Sequence, residues 1–194
     1  MMIVRRLILL ALTYAVALIV GFLLYLGLIA TPVLGGVSIL FYRGIAIALI
    51  AAPLLALLLA IGGRRVPSLD LSTVIGATAL SLAFNICFLI VFPVTFDRSV
   101  TMFLLARIEQ QDGRLDARDL DRIFIADYLG TLRQVDRRVR EQALSGNIVV
   151  IDGRIRLTPQ GRRLMAGART VGGWFGADRR FVDPQFAETQ APAH

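Results

Sequence analysis

The chain has 194 residues, 56% of them hydrophobic, with a mean hydropathy of +0.69 and a formal charge of +7. That hydropathy is too high for an ordinary soluble domain and points to a membrane protein. A single cysteine, Cys87, and a single histidine, the terminal His194, exclude an internal disulfide framework and a cysteine- or histidine-rich metal centre.

Every basic side chain is an arginine. Residues 1–96 carry Arg5, Arg6, Arg43, Arg64 and Arg65 against Asp70 alone, a net of +4. The remainder mixes sixteen arginines with thirteen acidic residues, a net of +3, so the high isoelectric point does not describe a strongly basic soluble surface.

Leu7 to Ala30 is an uncharged run long enough to cross a hydrocarbon core of about 30 Å. A signal peptide has a much shorter apolar region, so this run is expected to be a retained transmembrane helix. Thr31-Pro32 and Gly35-Gly36 make a turn, and the second span follows over about 39–63. A short loop with Arg64, Arg65, Pro67 and Asp70 leads to a third span over about 71–94, completing a transmembrane domain over residues 1–96.

Ala48, Ala52, Ala56 and Ala60 recur every fourth residue in the second span, and Ala79, Ala83 and Cys87 form a similar line in the third, close to Asn85. Small residues let helix backbones approach in lipid, so both lines are candidate helix-packing faces and Asn85 a candidate interhelical hydrogen-bond donor. Arg43, beside Tyr42 at the mouth of the second span, is expected at the membrane interface, as an anchor or a headgroup ligand. Arginine placement favours the N-terminus inside and the C-terminal domain outside a bacterial-type inner membrane, in a multi-pass topology.

Composition changes abruptly at Phe96-Asp97-Arg98, with no Gly/Ser- or Pro-rich linker. Val100, Phe103, Leu104 and Ile108 have helical spacing, as do Leu120, Ile123, Phe124 and Tyr128 in a helix from about 117 to 129. Thr131 is expected to cap a third helix with Leu132, Val135 and Val139 inward, ending at Ser145-Gly146-Asn147. Ile148 to Ile151 and Arg154 to Leu157, joined by Asp152-Gly153, form a β-hairpin with a type I′ turn. The two-residue turn pairs Ile151 with Arg154, Val150 with Ile155, Val149 with Arg156 and Ile148 with Leu157. Ile148, Val150, Ile155 and Leu157 should face a core, leaving Val149, Ile151, Arg154 and Arg156 outward. Thr158-Pro159 starts a closing helix.

This order of elements resembles a winged-helix domain, on the residues Glu141 to Met165, EQALSGNIVVIDGRIRLTPQGRRLM. The resemblance implies the end of a recognition helix, a wing and a closing helix, giving a mostly α fold in which residues 97–182 form a small winged-helix-like domain. Residues 183–194 read as a flexible tail. Trp174 and Phe175, followed by Arg179 and Arg180, have the composition of a membrane-interface anchor, or else complete the domain core.

The resemblance brings forward a membrane-anchored transcription regulator, with Arg133, Arg137, Arg138 and Arg140 on the third helix and Arg154 and Arg156 on the wing meeting phosphates. Asp136 can pair with Arg140 and Arg137 with Glu141 at i,i+4 spacing, and Asp116, Asp119, Asp121 and Asp127 would repel a DNA backbone, so nucleic acid is disfavoured. No phosphate loop, nucleophile elbow or cofactor motif is present in the sequence, and no catalytic, cofactor or metal residues are assigned. The expected function is a non-catalytic accessory or scaffold subunit that binds a protein partner through Val149, Ile151, Arg154, Arg156, Arg133 and Arg137. The partner is another membrane protein or a second copy, with membrane lipid as a further contact. The setting is an envelope glycan-synthesis or export complex. A small lipid-binding or transport component is the remaining alternative.

Overall fold

The computed structural model describes residues 2–63, 70–178 and 181–182. Arg64, Arg65 and Pro67, Arg179 and Arg180, and the tail expected over 183–194 lie outside them. The chain divides into two compact units, Met1–Ala106 and Arg107–His194, each taken by itself.

In the first unit, α1 (Met2–Ile29), α2 (Leu40–Gly63) and α3 (Leu71–Leu89) are antiparallel neighbours in sequence. A π-helical turn, Ile90–Val94, carries α3 into a short α4, Thr95–Arg98. Among the described residues three helices are long and apolar enough to cross a membrane: Val4–Ile29, Leu40–Gly62 and Leu71–Arg98. The third is longer than the sequence suggests, because the chain stays helical through Pro93. Proline supplies no amide and crowds the preceding turn, so the helix widens there. The Thr95 hydroxyl donates to the carbonyl of Ile90 at 2.8 Å and satisfies an acceptor in the widened turn.

These helices are apolar on every side, so their packing faces are set by size and polarity. Ala17, Gly21 and Tyr25 of α1, Gly44, Ala48, Ala51 and Leu55 of α2, and Ala77, Ser81, Asn85 and Leu89 of α3 are buried. The α1 and α3 lines run in steps of four, while the α2 line alternates steps of four and three, which keeps that helix facing its neighbours. Glycines sit at the tightest crossings. A methyl group on Gly21 would collide with Ser81 and Leu55, one on Gly44 with Leu89, and one on Gly76 with the Tyr14 hydroxyl.

The fourfold alanine line does not follow this seam. Each step of four advances about 40° around the helix, and in α2 no step of three returns the alanine line to the seam. Ala48 is buried, Ala52 and Ala56 are half-buried and Ala60 is exposed; Ala79 and Ala83 are also exposed, while Asn85 is buried. Ala48 and Asn85 thus lie inside the bundle, Ala52 and Ala56 at its edge, and Ala60, Ala79 and Ala83 at its surface.

The second unit is mostly helical with one two-stranded antiparallel sheet. Helix α5 (Val100–Gln110) reaches it from the first unit. Next come α6 (Ala117–Ile123), a π-helical segment (Phe124–Thr131), α7 (Gln134–Leu144), β1 (Ile148–Ile151), β2 (Arg154–Leu157) and α8 (Pro159–Trp174). Asp116 starts α6 through a capping box with Asp119, satisfying two amides at once. Leu120, Ile123, Phe124 and Tyr128 are half-buried along one side, with the Phe124 and Tyr128 rings stacked at 4.9 Å.

Helix α7 begins later than the sequence suggests. Thr131 belongs to the π-helical segment, where its hydroxyl donates to the carbonyl of Ala126. The residue that precedes α7 is Arg133, in the left-handed region at φ 47°. Leu132 and Val135, expected inward, are exposed, and Val139 is half-buried.

Candidate functional site

The hairpin forms with the anticipated register: Ile148 opposite Leu157, Val149 opposite Arg156, Val150 opposite Ile155 and Ile151 opposite Arg154. Asp152 and Gly153 have φ values of 50° and 73°, the paired positive angles of a type I′ turn. That turn matches the twist of the strands and leaves no freedom in the pairing.

A compact knot of hydrogen bonds roots the hairpin between α7 and α8. Helix α7 ends in a Schellman motif, with the Gly146 amide donating to Ala143 and the Asn147 amide to Gln142; Gly146 sits at φ 72°. The Asn147 side-chain amide donates to Gln142 Oε1 at 2.8 Å, and Gln160 Nε2 donates to the Ser145 carbonyl at 2.8 Å. Thr158 caps α8 by accepting from the Gly161 amide at 3.1 Å, and its hydroxyl donates to the Gly146 carbonyl at 2.7 Å. Gly161 is required there because a side chain would meet the Asn147 carbonyl. Of these residues the sequence marked the Ser-Gly-Asn stop and the Thr-Pro start. Gln142, Gln160 and Gly161 were missed, since only the folded-back geometry brings them together.

Above this root the hairpin is uncovered on both sides. Val149 and Ile151 face outward as expected, but Val150, Ile155 and Leu157, expected to face a core, are also exposed; all five are between 41% and 54% accessible. The elements that flank the hairpin reach only its base, where Ile148 is half-buried. Arg154 and Arg156 are exposed on the same strands. Beside the base, a cleft of about 320 Å³ opens between Tyr128, Leu129, Val135, Val139 and Ile148.

Arg133, just before α7, and Arg137 and Arg138 within it are turned to ion pairs. Arg133 reaches Asp136 at 2.6 Å, whereas the sequence suggested Arg140 for that aspartate. Arg137 Nε and Arg138 Nη1 both donate to the buried carboxylate of Glu141, at 3.1 and 2.7 Å. Arg137 was anticipated as a partner of Glu141 and as a contact residue; its guanidinium lies along its own helix. Arg107 pairs with Asp127 at 3.0 Å, tying α5 to the π-helical segment. Trp174 and Phe175 are 75% and 83% exposed, so they do not complete a core.

In the first unit Arg43 clamps the end of α1. Its guanidinium donates to the carbonyls of Ile29 at 3.2 Å, Thr31 at 2.9 Å and Val33 at 3.3 Å. A cation at a helix C-terminus complements the partial negative charge of the terminal carbonyls. Across the bundle, Asn85 Nδ2 donates to the Gly21 carbonyl at 3.5 Å. Among the described residues no cluster of His, Cys, Asp and Glu could hold a metal ion. No protein-family model, curated protein or solved structure matches the chain.

Proposed function

We propose that this chain is a non-catalytic integral membrane accessory or scaffold subunit whose soluble unit, read as winged-helix-like, binds a protein partner through its hairpin. The observation that carries this reading is the hairpin uncovered on both faces. Two four-residue strands are marginal in isolation, and five exposed β-branched or leucine side chains on one small ribbon form an apolar surface with no function in a solitary subunit. On one face Val149 and Ile151 of β1 lie beside Arg156 and Arg154 of β2, an apolar strand next to a basic one, a composition suited to a protein contact. Arg133, just before α7, and Arg137, within it, are the further residues assigned to the contact. The ion pairs of Arg137 and Arg138 with Glu141 weaken the case for a phosphate backbone as the target.

Three membrane helices followed by a small domain suit a subunit of an envelope glycan-synthesis or export complex in a bacterial inner membrane, with the soluble unit outside. Photo-crosslinking from residue 149 in intact membranes tests the partner. A discrete crosslinked species that disappears in the Ile151→Glu protein is expected. A chain that emerges alone and monodisperse from mild detergent, with no crosslink from position 149, overturns the reading.

A further inference from the structure

The third membrane-spanning helix ends at Arg98, and Ser99 is the only residue between it and α5. Ser99 breaks the helical path with extended angles, φ −85° and ψ 116°, and restarts it at once. Its hydroxyl accepts from the Met102 amide at 3.1 Å, the N-cap bond of a new helix. One extended residue spans less than about 4 Å, and a 28-residue helix, about 42 Å long, matches a bilayer with its headgroup regions, so the first turn of α5 begins at headgroup level.

Helix α5 is apolar on two opposite sides. Phe103, Leu104 and Ile108 are half-buried, while Met102, Leu105 and Ala106 face away from them and are exposed, Met102 at 42% and Leu105 at 51%. Met102, Leu105 and Ala106 belong to the same compact unit as the spans. Glu109 follows on that outer side one turn later and closes the apolar patch. A soluble connector has no need of a second apolar face. A helix that starts at the membrane surface does, since that face can sink into the headgroup and upper acyl region.

We infer that the outer face of α5, Met102, Leu105 and Ala106, is a membrane-surface contact whose occupant is the phospholipid layer that the preceding helix has just crossed. The inference rests on Leu71–Arg98 crossing a bilayer. The contact fixes how the chain leaves the membrane, because an anchored α5 keeps its own first turns at the interface.

The full chain reconstituted in vesicles of mixed zwitterionic and anionic phospholipid provides the test. Three single-cysteine proteins are compared: the native chain with Cys87, Cys87→Ser with Leu105→Cys, and Cys87→Ser with Gln110→Cys. Each is labelled with a polarity-sensitive fluorophore and quenched by lipids carrying a nitroxide at shallow or deep positions. Cys87 should be quenched by the deep nitroxide, position 105 by the shallow one, and position 110 by neither. Position 105 should also react several-fold more slowly than 110 with a water-soluble maleimide. Loss of quenching at Cys87 would overturn the membrane crossing itself. Quenching at Cys87, with positions 105 and 110 behaving alike, would overturn the surface contact alone.

Discussion

Asn85 of α3 donates its side-chain amide to the main-chain carbonyl of Gly21 in α1, and this contact exists because Gly21 has no side chain to hold the helices apart. The close approach contributes more than the bond. Interhelical side-chain hydrogen bonds in membranes average about 0.6 kcal/mol, whereas forcing extra carbons into a packed contact costs about 1–3 kcal/mol. Gly21→Val should therefore destabilise the bundle more than Asn85→Ala, as measured by unfolding in mixed detergent micelles. Equal losses would mean that the polar bond dominates.

Arg43 should be irreplaceable by lysine. Its planar fork reaches three carbonyls from two separated nitrogens, Nε to Val33 and Nη2 to Ile29 and Thr31, a spread that three donors on one ammonium nitrogen do not reproduce. Arg43→Ala should cost about 1–2 kcal/mol, with Arg43→Lys recovering less than half. The readout is proteolytic cleavage between residues 30 and 39, faster in both variants and fastest in alanine.

The turn of the hairpin should be sensitive at Gly153 and tolerant at Asp152. Both adopt positive φ, but asparagine or glycine replaces Asp152 without strain, while a β-branched residue at 153 meets a penalty of about 1–2 kcal/mol. Gly153→Val should accelerate amide exchange along Ile148–Ile151 and Arg154–Leu157, and Asp152→Asn should leave it unchanged.

The hairpin was legible in the sequence because Asp-Gly dictates both the turn type and, through it, every cross-strand pair. The helix start at Thr158-Pro159 was legible for the same local reason. Packing faces within the spans were not. Helices that are apolar all round carry no amphipathic signal, and what distinguishes Gly21, Gly44 and Gly76 is the neighbour each one meets. The start of α7 was hidden for a different reason: the hydroxyl of Thr131, a good capping group, bonds backward into a widened turn, and Arg133 in a left-handed conformation takes the position before the helix. The exposed inner face of the hairpin contradicts simple alternation, which assumes that the opposite side has something to pack against.

Acid should loosen the start of α3. Asp70 accepts from the Thr73 amide at 2.8 Å and the Ser72 hydroxyl at 2.8 Å, and hydrogen bonding, led by the Thr73 side chain, holds its carboxyl below the usual carboxylate range. A folded-state pKa below the unfolded one gives stabilisation that is present above the ordinary value and lost as pH falls through the lowered one. The protection of the Thr73 amide, its exchange rate relative to the intrinsic rate at the same pH, should fall on acidification in the native chain. Asp70→Asn, which keeps the cap but cannot titrate, should abolish that fall, and Asp70→Ala should show low protection at every pH.

Glu141 should be more costly to lose than either of its arginines. Its buried carboxylate accepts from Arg137 and Arg138 together, and both guanidiniums remain about one-third exposed, so removal of one arginine leaves the other to compensate the charge. Glu141→Gln instead leaves two half-buried cations side by side, with neutral acceptors only. The expected loss is about 1–2 kcal/mol, below that of a fully buried pair because water still reaches the arginines. Arg137→Ala should cost less than half as much, and the double variant Glu141→Gln with Arg137→Ala should be more stable than Glu141→Gln alone. Thermal unfolding of the full chain followed by intrinsic fluorescence and circular dichroism compares them. If the double variant is the least stable of the three, repulsion between the two arginines is not what Glu141 relieves, and the pairing is a surface contact that leaves α7 free to meet another ligand.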